Sequence, residues 1–116
     1  MRALLRRGRG TAGVAPIRLG RLSLRGDETV PRLDDAPLEL SPREAGVLAI
    51  LLRRAGRVVG KPVVLQELSA ADPSAMDLSD AAVEVMVHRL RRKLEGSGTE
   101  IHTVRGFGYL LRGRDA

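Results

Sequence analysis

Between residues 81 and 94 the chain reads AAVEVMVHRLRRKL, and its apolar positions recur at helical spacing: Val83, Val87, Leu90 and Leu94. At about 3.6 residues per turn these four share one narrow stripe, which must face a core. Ala81, Val85, His88, Arg89 and Arg92 lie roughly opposite, so the free face mixes small and apolar side chains with cations. Upstream, Ser41-Pro42-Arg43-Glu44 supplies an N-cap serine, a first-turn proline and a glutamate at the third helical position, the capping-box pattern. A helix to about Arg54 follows, burying Val47, Leu48, Leu51 and Leu52, with Gly56 placed to end it in a left-handed turn. Val58 and Val59 form a short apolar link. A second helix is expected over residues 61–68, with Val64, Leu65 and Leu68 inward and Pro62 tolerable in its first turn. Residues 69–78 form a polar loop, Ser79 or Asp80 caps the third helix, and Gly96, Ser97 and Gly98 stop it.

Before the first helix the pattern shortens. Segments 17–19, 22–24, 30–33 and 38–40 are separated by Gly20, Gly26, Asp34, Asp35 and Pro37, and several alternate in polarity, as in a small antiparallel sheet. At the other end Ile101, Thr103, Tyr109 and Leu111 flank Arg105-Gly106-Phe107-Gly108, which predicts a β-hairpin with a cationic tip. Residues 8–16 carry three glycines with Ala12, Ala15 and Pro16 and no periodicity, the signature of a linker. The expected organisation is an N-terminal segment 1–16, one α+β domain over 17–112, and a tail 113–116.

Composition narrows the partner. A chain of 116 residues makes one domain with a modest core. A formal charge of +6 and a sequence pI near 11.1 favour a polyanion. Lys61 and Lys93 are the only lysines among 20 cations, a bias of base composition rather than mechanism. No cysteine is present, and His88 and His102 alone leave little for a zinc site, so no metal or cofactor is expected. No apolar run approaches the roughly 20 residues of a membrane span, and the first ten residues lack a signal-peptide core, so the expected location is the cytoplasm. No Ser/His/Asp set, carboxylate pair or phosphate-cradling loop suggests an enzyme, since the G-x-G at 106–108 sits in a hairpin turn with no following helix. The free face of the third helix suits a DNA major groove instead: arginine can bridge O6 and N7 of guanine, and Val or Ala can touch a thymine methyl.

Three helices followed by a hairpin, with the third helix basic outside, is the order of a winged helix-turn-helix. The segments SPREAGVLAILLRRAGRVVGK at 41–61, AAVEVMVHRLRRKL at 81–94 and IHTVRGFGYLL at 101–111 resemble the OmpR/PhoB-type effector domains of bacterial two-component response regulators, in the family's order and spacing. The resemblance spans most of residues 17–112. It implies a four-stranded N-terminal sheet, three helices and a C-terminal hairpin acting as the wing. It also implies that RALLRR at 2–7 ends the last helix of a receiver domain, so that the chain is an effector domain cut from a longer regulator with Met1 at the cut; a naturally short regulator is the alternative. Neither Asp34 nor Asp35 is a phosphoacceptor on this reading.

Carried over position by position, the resemblance places DNA contacts on Ala81, Ala82, Val85, His88, Arg89, Arg91 and Arg92. Arg89 is the first choice for a base contact, Val85 an apolar base contact, and His88 and Arg92 phosphate ligands. Arg91 faces Glu84 closely enough that an internal ion pair competes with a DNA contact. On the wing, Thr103 and Tyr109 offer hydroxyls to phosphates, with a packing role as the alternative for Tyr109, and Arg105 reaches the minor groove. The family's habits imply tandem half-sites about one helical turn apart bound by two copies, a domain monomeric in isolation, an upstream sensor histidine kinase, and RNA polymerase contact by the loop between helices two and three. The sequence departs from the family at Ala45, where a bulky aromatic is common, at Gly60, which replaces a polar cap, and in the missing loop tryptophan. The competing function is a winged helix that docks a protein, with the charged third helix meeting an acidic partner.

Overall fold

The computed structural model describes residues 16–26, 30–71 and 79–113. The residues expected to end a receiver helix, most of the loop between helices two and three, and nearly all of the tail lie outside these. A four-stranded antiparallel sheet comes first, in the order β1 (Ile17–Leu19), β2 (Leu22–Leu24), β3 (Arg32–Leu33) and β4 (Ala36–Pro37). The first two strands fall where alternation predicts them. The fourth does not: pairing occurs at 36–37 rather than 38–40, because Asp34 and Asp35 take positive φ values of 53° and 70° and close a two-residue turn directly onto Ala36. Two consecutive left-handed residues give the strand twist that a tight hairpin needs, and aspartate tolerates them. Pro37 is accommodated because β4 is an edge strand. Leu38 and Leu40 then pack on the core as connecting residues.

The three helices are α1 (Pro42–Arg53), α2 (Lys61–Ala71) and α3 (Asp80–Lys93). Ser41 caps α1 as expected: its Oγ accepts from the Glu44 N–H at 3.1 Å, and Glu44 Oε1 accepts from the Ser41 N–H at 3.2 Å. Ser79, not Asp80, caps α3, its Oγ accepting from the Ala82 N–H at 3.2 Å. Gly56, at φ 83°, reverses the chain after α1. The predicted stripe of α3 is wholly buried and meets Val47, Leu48, Leu51 and Leu52 of α1 and Val64 and Leu68 of α2 in one core cluster. Ala45 is buried too.

The C-terminal hairpin is β6 (Thr99–Val104) and β7 (Gly108–Gly113), joined through Arg105, Gly106 and Phe107. The apolar link Val58-Val59 is itself a strand, β5 (Val58–Val59), paired with β7 at Leu110 and Tyr109, so this sheet has three strands in the order β5-β7-β6. That pairing requires glycine at 108. Gly108 has φ 149°, and a Cβ there would meet the Val59 carbonyl and lie 2.7 Å from Gly60 Cα. The hairpin is therefore seated on the connection between α1 and α2, which fixes where its tip stands relative to α3.

Candidate nucleic-acid interface

One flank of α3, the first turn of α2 and the hairpin tip enclose a groove of about 710 Å³. Lys61, at the start of α2, donates to Glu84 of α3 and closes one end. Arg91, from the last turns of α3, crosses to β6, where its Nε donates to the Ile101 carbonyl at 3.0 Å and its Nη2 to Thr103 Oγ1. The ion pair of Arg91 with Glu84 that helical position allows does not form, because Lys61 occupies that carboxylate. Arg91 thus ties α3 to the hairpin, and Thr103 accepts from it.

Of the positions predicted for DNA contact, Ala81, Val85, His88, Arg89 and Arg92 are exposed along one side of α3, while Ala82 is half-buried beside the cap. Val85, at 49% exposed, is a large apolar side chain left in water at the middle of this face. Among the described residues, neither Arg92 nor Arg105 has an ion pair or a side-chain hydrogen bond, so both are free to take an anion. Arg105 sits at the hairpin tip, in a turn closed by the Phe107 N–H on the Val104 carbonyl at 2.9 Å.

Tyr109 takes the packing position that stood as the alternative to a phosphate contact. It is 4% exposed and belongs to the core cluster, with its edge in the groove wall, so it supports the hairpin from beneath. Burial pushes its phenol above the usual value, against the opposing charge of Lys61.

Two features escaped the sequence reading. Phe107, the chain's only phenylalanine, is 74% exposed beside Arg105. Glu44 does more than cap α1. Its side chain is 4% exposed, Lys93 Nζ donates to Oε1 at 2.9 Å, and Arg89 Nη1 stands 3.9 Å from Oε2. Burial pushes this carboxyl up, but the hydrogen bonds from Lys93 and the Ser41 N–H, with the charges of Lys93 and Arg89, outweigh it and hold the group below the usual carboxylate range. The spacing of Arg89 and Lys93, one helical turn apart on the flank beside α1, is the sequence signal that could have suggested a shared acid.

An exposed helix face and a cationic hairpin tip on a helix-turn-helix core define a winged-helix DNA-binding domain. Comparison with known proteins agrees. The family described as "Transcriptional regulatory protein, C terminal" matches residues 35–111. The transcriptional regulatory protein TctD of Salmonella typhimurium is 36% identical over 115 residues, which are 99% of this chain and 49% of that protein. Among solved structures, the C-terminal domain of the nisin resistance regulator NsrR superposes with a TM-score of 0.65 at 35% identity, covering 82% of this chain and 94% of that domain. The Klebsiella pneumoniae RstA DNA-binding domain in complex with RstA box superposes at 0.63 and 30% identity, covering 84% and 96%. The chain belongs to the OmpR/PhoB-type family of response-regulator DNA-binding domains, a family of transcription factors rather than enzymes. It spans about half the length of the curated relatives it matches. Among the described residues, no helix is long and apolar enough to cross a membrane.

Proposed function

We propose that this domain binds double-stranded DNA sequence-specifically, with α3 in the major groove and the hairpin tip in the adjacent minor groove, and thereby regulates transcription. The observation that carries this reading is the exposed face of α3, where apolar Val85 lies among His88, Arg89 and Arg92 while the opposite stripe is wholly buried. An exposed valine set among cations suits a major groove, which offers it thymine methyls. Arg89 reads a base, Arg92 and His88 grip phosphates, and Arg105 enters the minor groove, where negative potential attracts guanidinium. Arg91 and Thr103 act together as the brace that sets the angle between helix and wing, which makes Thr103 a phosphate contact only through the side not engaged by Arg91. The solved RstA domain in complex with RstA box supports the DNA partner.

Two copies on tandem half-sites about one turn apart, control by a receiver and its sensor histidine kinase, and polymerase contact near residues 69–78 complete the proposal for the parent regulator. The protein-docking alternative is separated by salt. Anisotropy titrations of a labelled random-sequence duplex should show log affinity falling against log salt with a slope of about −0.9 for each phosphate neutralised. A flat response would favour docking to a protein.

A further inference from the structure

Glu44 sits at the start of α1, outside the groove-facing surface, yet it is the acid nearest to the arginine assigned above to reading a base. Its two carboxylate oxygens are used differently. Oε1 is saturated by Lys93 Nζ at 2.9 Å and the Ser41 N–H at 3.2 Å. Oε2 faces Arg89 Nη1 at 3.9 Å, longer than a direct hydrogen bond and within ion-pair distance. The carboxylate is 4% exposed, whereas the Arg89 side chain is 63% exposed. One end of this pair is fixed by the fold and the other is free to meet a ligand.

That asymmetry matters for what an arginine can do. A guanidinium bridges O6 and N7 of guanine only when its plane is held in one orientation; a freely rotating arginine grips any phosphate equally well. We infer that Glu44 is a positioning residue for sequence recognition: its buried carboxylate holds the Arg89 guanidinium against the α1 flank of the recognition helix and makes Arg89 a base reader instead of a general cation. Lys93 has a defined part in this. It neutralises the carboxylate, and it is itself anchored by the Glu39 carbonyl at 3.1 Å, so the acid can orient Arg89 without presenting net negative charge to the phosphates. Because Glu44 is buried, it touches no DNA itself.

The inference rests on the DNA reading, and one experiment separates the two. A randomised duplex pool is selected with the wild-type domain, Glu44→Gln, Glu44→Asp and Arg89→Ala, and the bound fractions are sequenced to give base preference at each position. Glutamine can still accept from the Ser41 N–H, so the cap survives while the charge facing Arg89 is lost; aspartate keeps the charge but withdraws it by one methylene. The expected result is that Arg89→Ala flattens one base-pair position, and that Glu44→Gln reduces preference at that same position by about tenfold with the other positions unchanged. Glu44→Asp should do the same to a smaller degree, and it carries the test if the glutamine variant does not fold. A purely structural cap would lower melting temperature or overall affinity without singling out one position. Unaltered preference in both Glu44 variants, with wild type enriched for a motif, overturns the inference alone. No enrichment by the wild type overturns the DNA reading and the inference with it.

Discussion

Gly108→Ala and Gly106→Ala make a matched pair, since both glycines lie on the left-handed side of φ, at 149° and 84°, and differ in the space around them. At Gly106 a Cβ meets nothing within 4 Å. The cost there is the left-handed conformation alone, about 1–2 kcal/mol. At Gly108 the same atom would collide with the Val59 carbonyl and stand 2.7 Å from both Gly60 Cα and the Val59 carbonyl carbon. Ordinary carbon contacts lie at about 3.5–4.0 Å, so β5 and β7 must part by about 1 Å, too far for their ladder to survive. Freeing β5 exposes Val59, now 2% exposed, at about 1.5–3 kcal/mol, and loses ladder hydrogen bonds at about 1 kcal/mol each. With the backbone strain, Gly108→Ala should cost about 4–6 kcal/mol. For a domain of this size 1 kcal/mol moves the melting temperature by about 4–8 °C. Thermal unfolding followed by circular dichroism should show a drop of about 4–16 °C for Gly106→Ala and about 16–48 °C, or no cooperative transition, for Gly108→Ala. Equal drops for the two variants would refute the claim that the hairpin is seated on the α1–α2 connection through Gly108.

The remaining predictions follow from single contacts. Arg91→Ala, which removes the donors to Ile101 and Thr103, should weaken DNA binding by roughly tenfold while leaving base preference intact, as a brace rather than a reader; an anisotropy titration that shows no loss would return Arg91 to the solvated surface. Arg92→Ala should reduce the salt slope by about one and weaken all duplexes alike, checked by the same titration at several salt concentrations. Glu44 gives a pH dependence of stability. Its folded-state value is depressed, so its contribution is fully present above the unfolded carboxylate value of about 4.3 and is lost as pH falls through the lower folded value. The melting-temperature gap between wild type and Glu44→Gln should therefore be constant at neutral pH and shrink in acid; a gap that widens as pH falls would contradict the sign.

Elements with long, regular periodicity were legible in the sequence. The stripe of α3, the capping box at Ser41 and Glu44, and the hairpin around Arg105 all rest on local chemistry that decides local conformation, and each stands where it was expected. What escaped was decided across the chain. Two residues cannot show a period, so Val58-Val59 becomes a strand only because β7 passes beside it with glycine at the crossing. The fourth strand shifted because two adjacent aspartates accept positive φ, a choice that no pattern of polarity announces. Within the site, helical geometry ranked Glu84 as the partner of Arg91, but Lys61 captured that acid and a β6 carbonyl lay within reach. Tyr109 offered both a hydroxyl and a ring to the sequence reading, and its ring packs into the core. Glu44 was read for its bond to its own helix end, while its contacts with Lys93 and Arg89 depend on how α1 and α3 pack.

The central claim is sequence-specific recognition by α3 with the wing in support, and selection of bound sequences from random duplex DNA tests it most directly. Run with the wild-type domain, Arg89→Ala and Arg105→Ala, it should return a motif arranged as direct repeats about one helical turn apart. Arg89→Ala should relax one position by about 1–3 kcal/mol, and Arg105→Ala should weaken binding throughout the motif. Recovery of no motif by the wild-type domain, or the same motif with unchanged strength from both variants, would contradict the account.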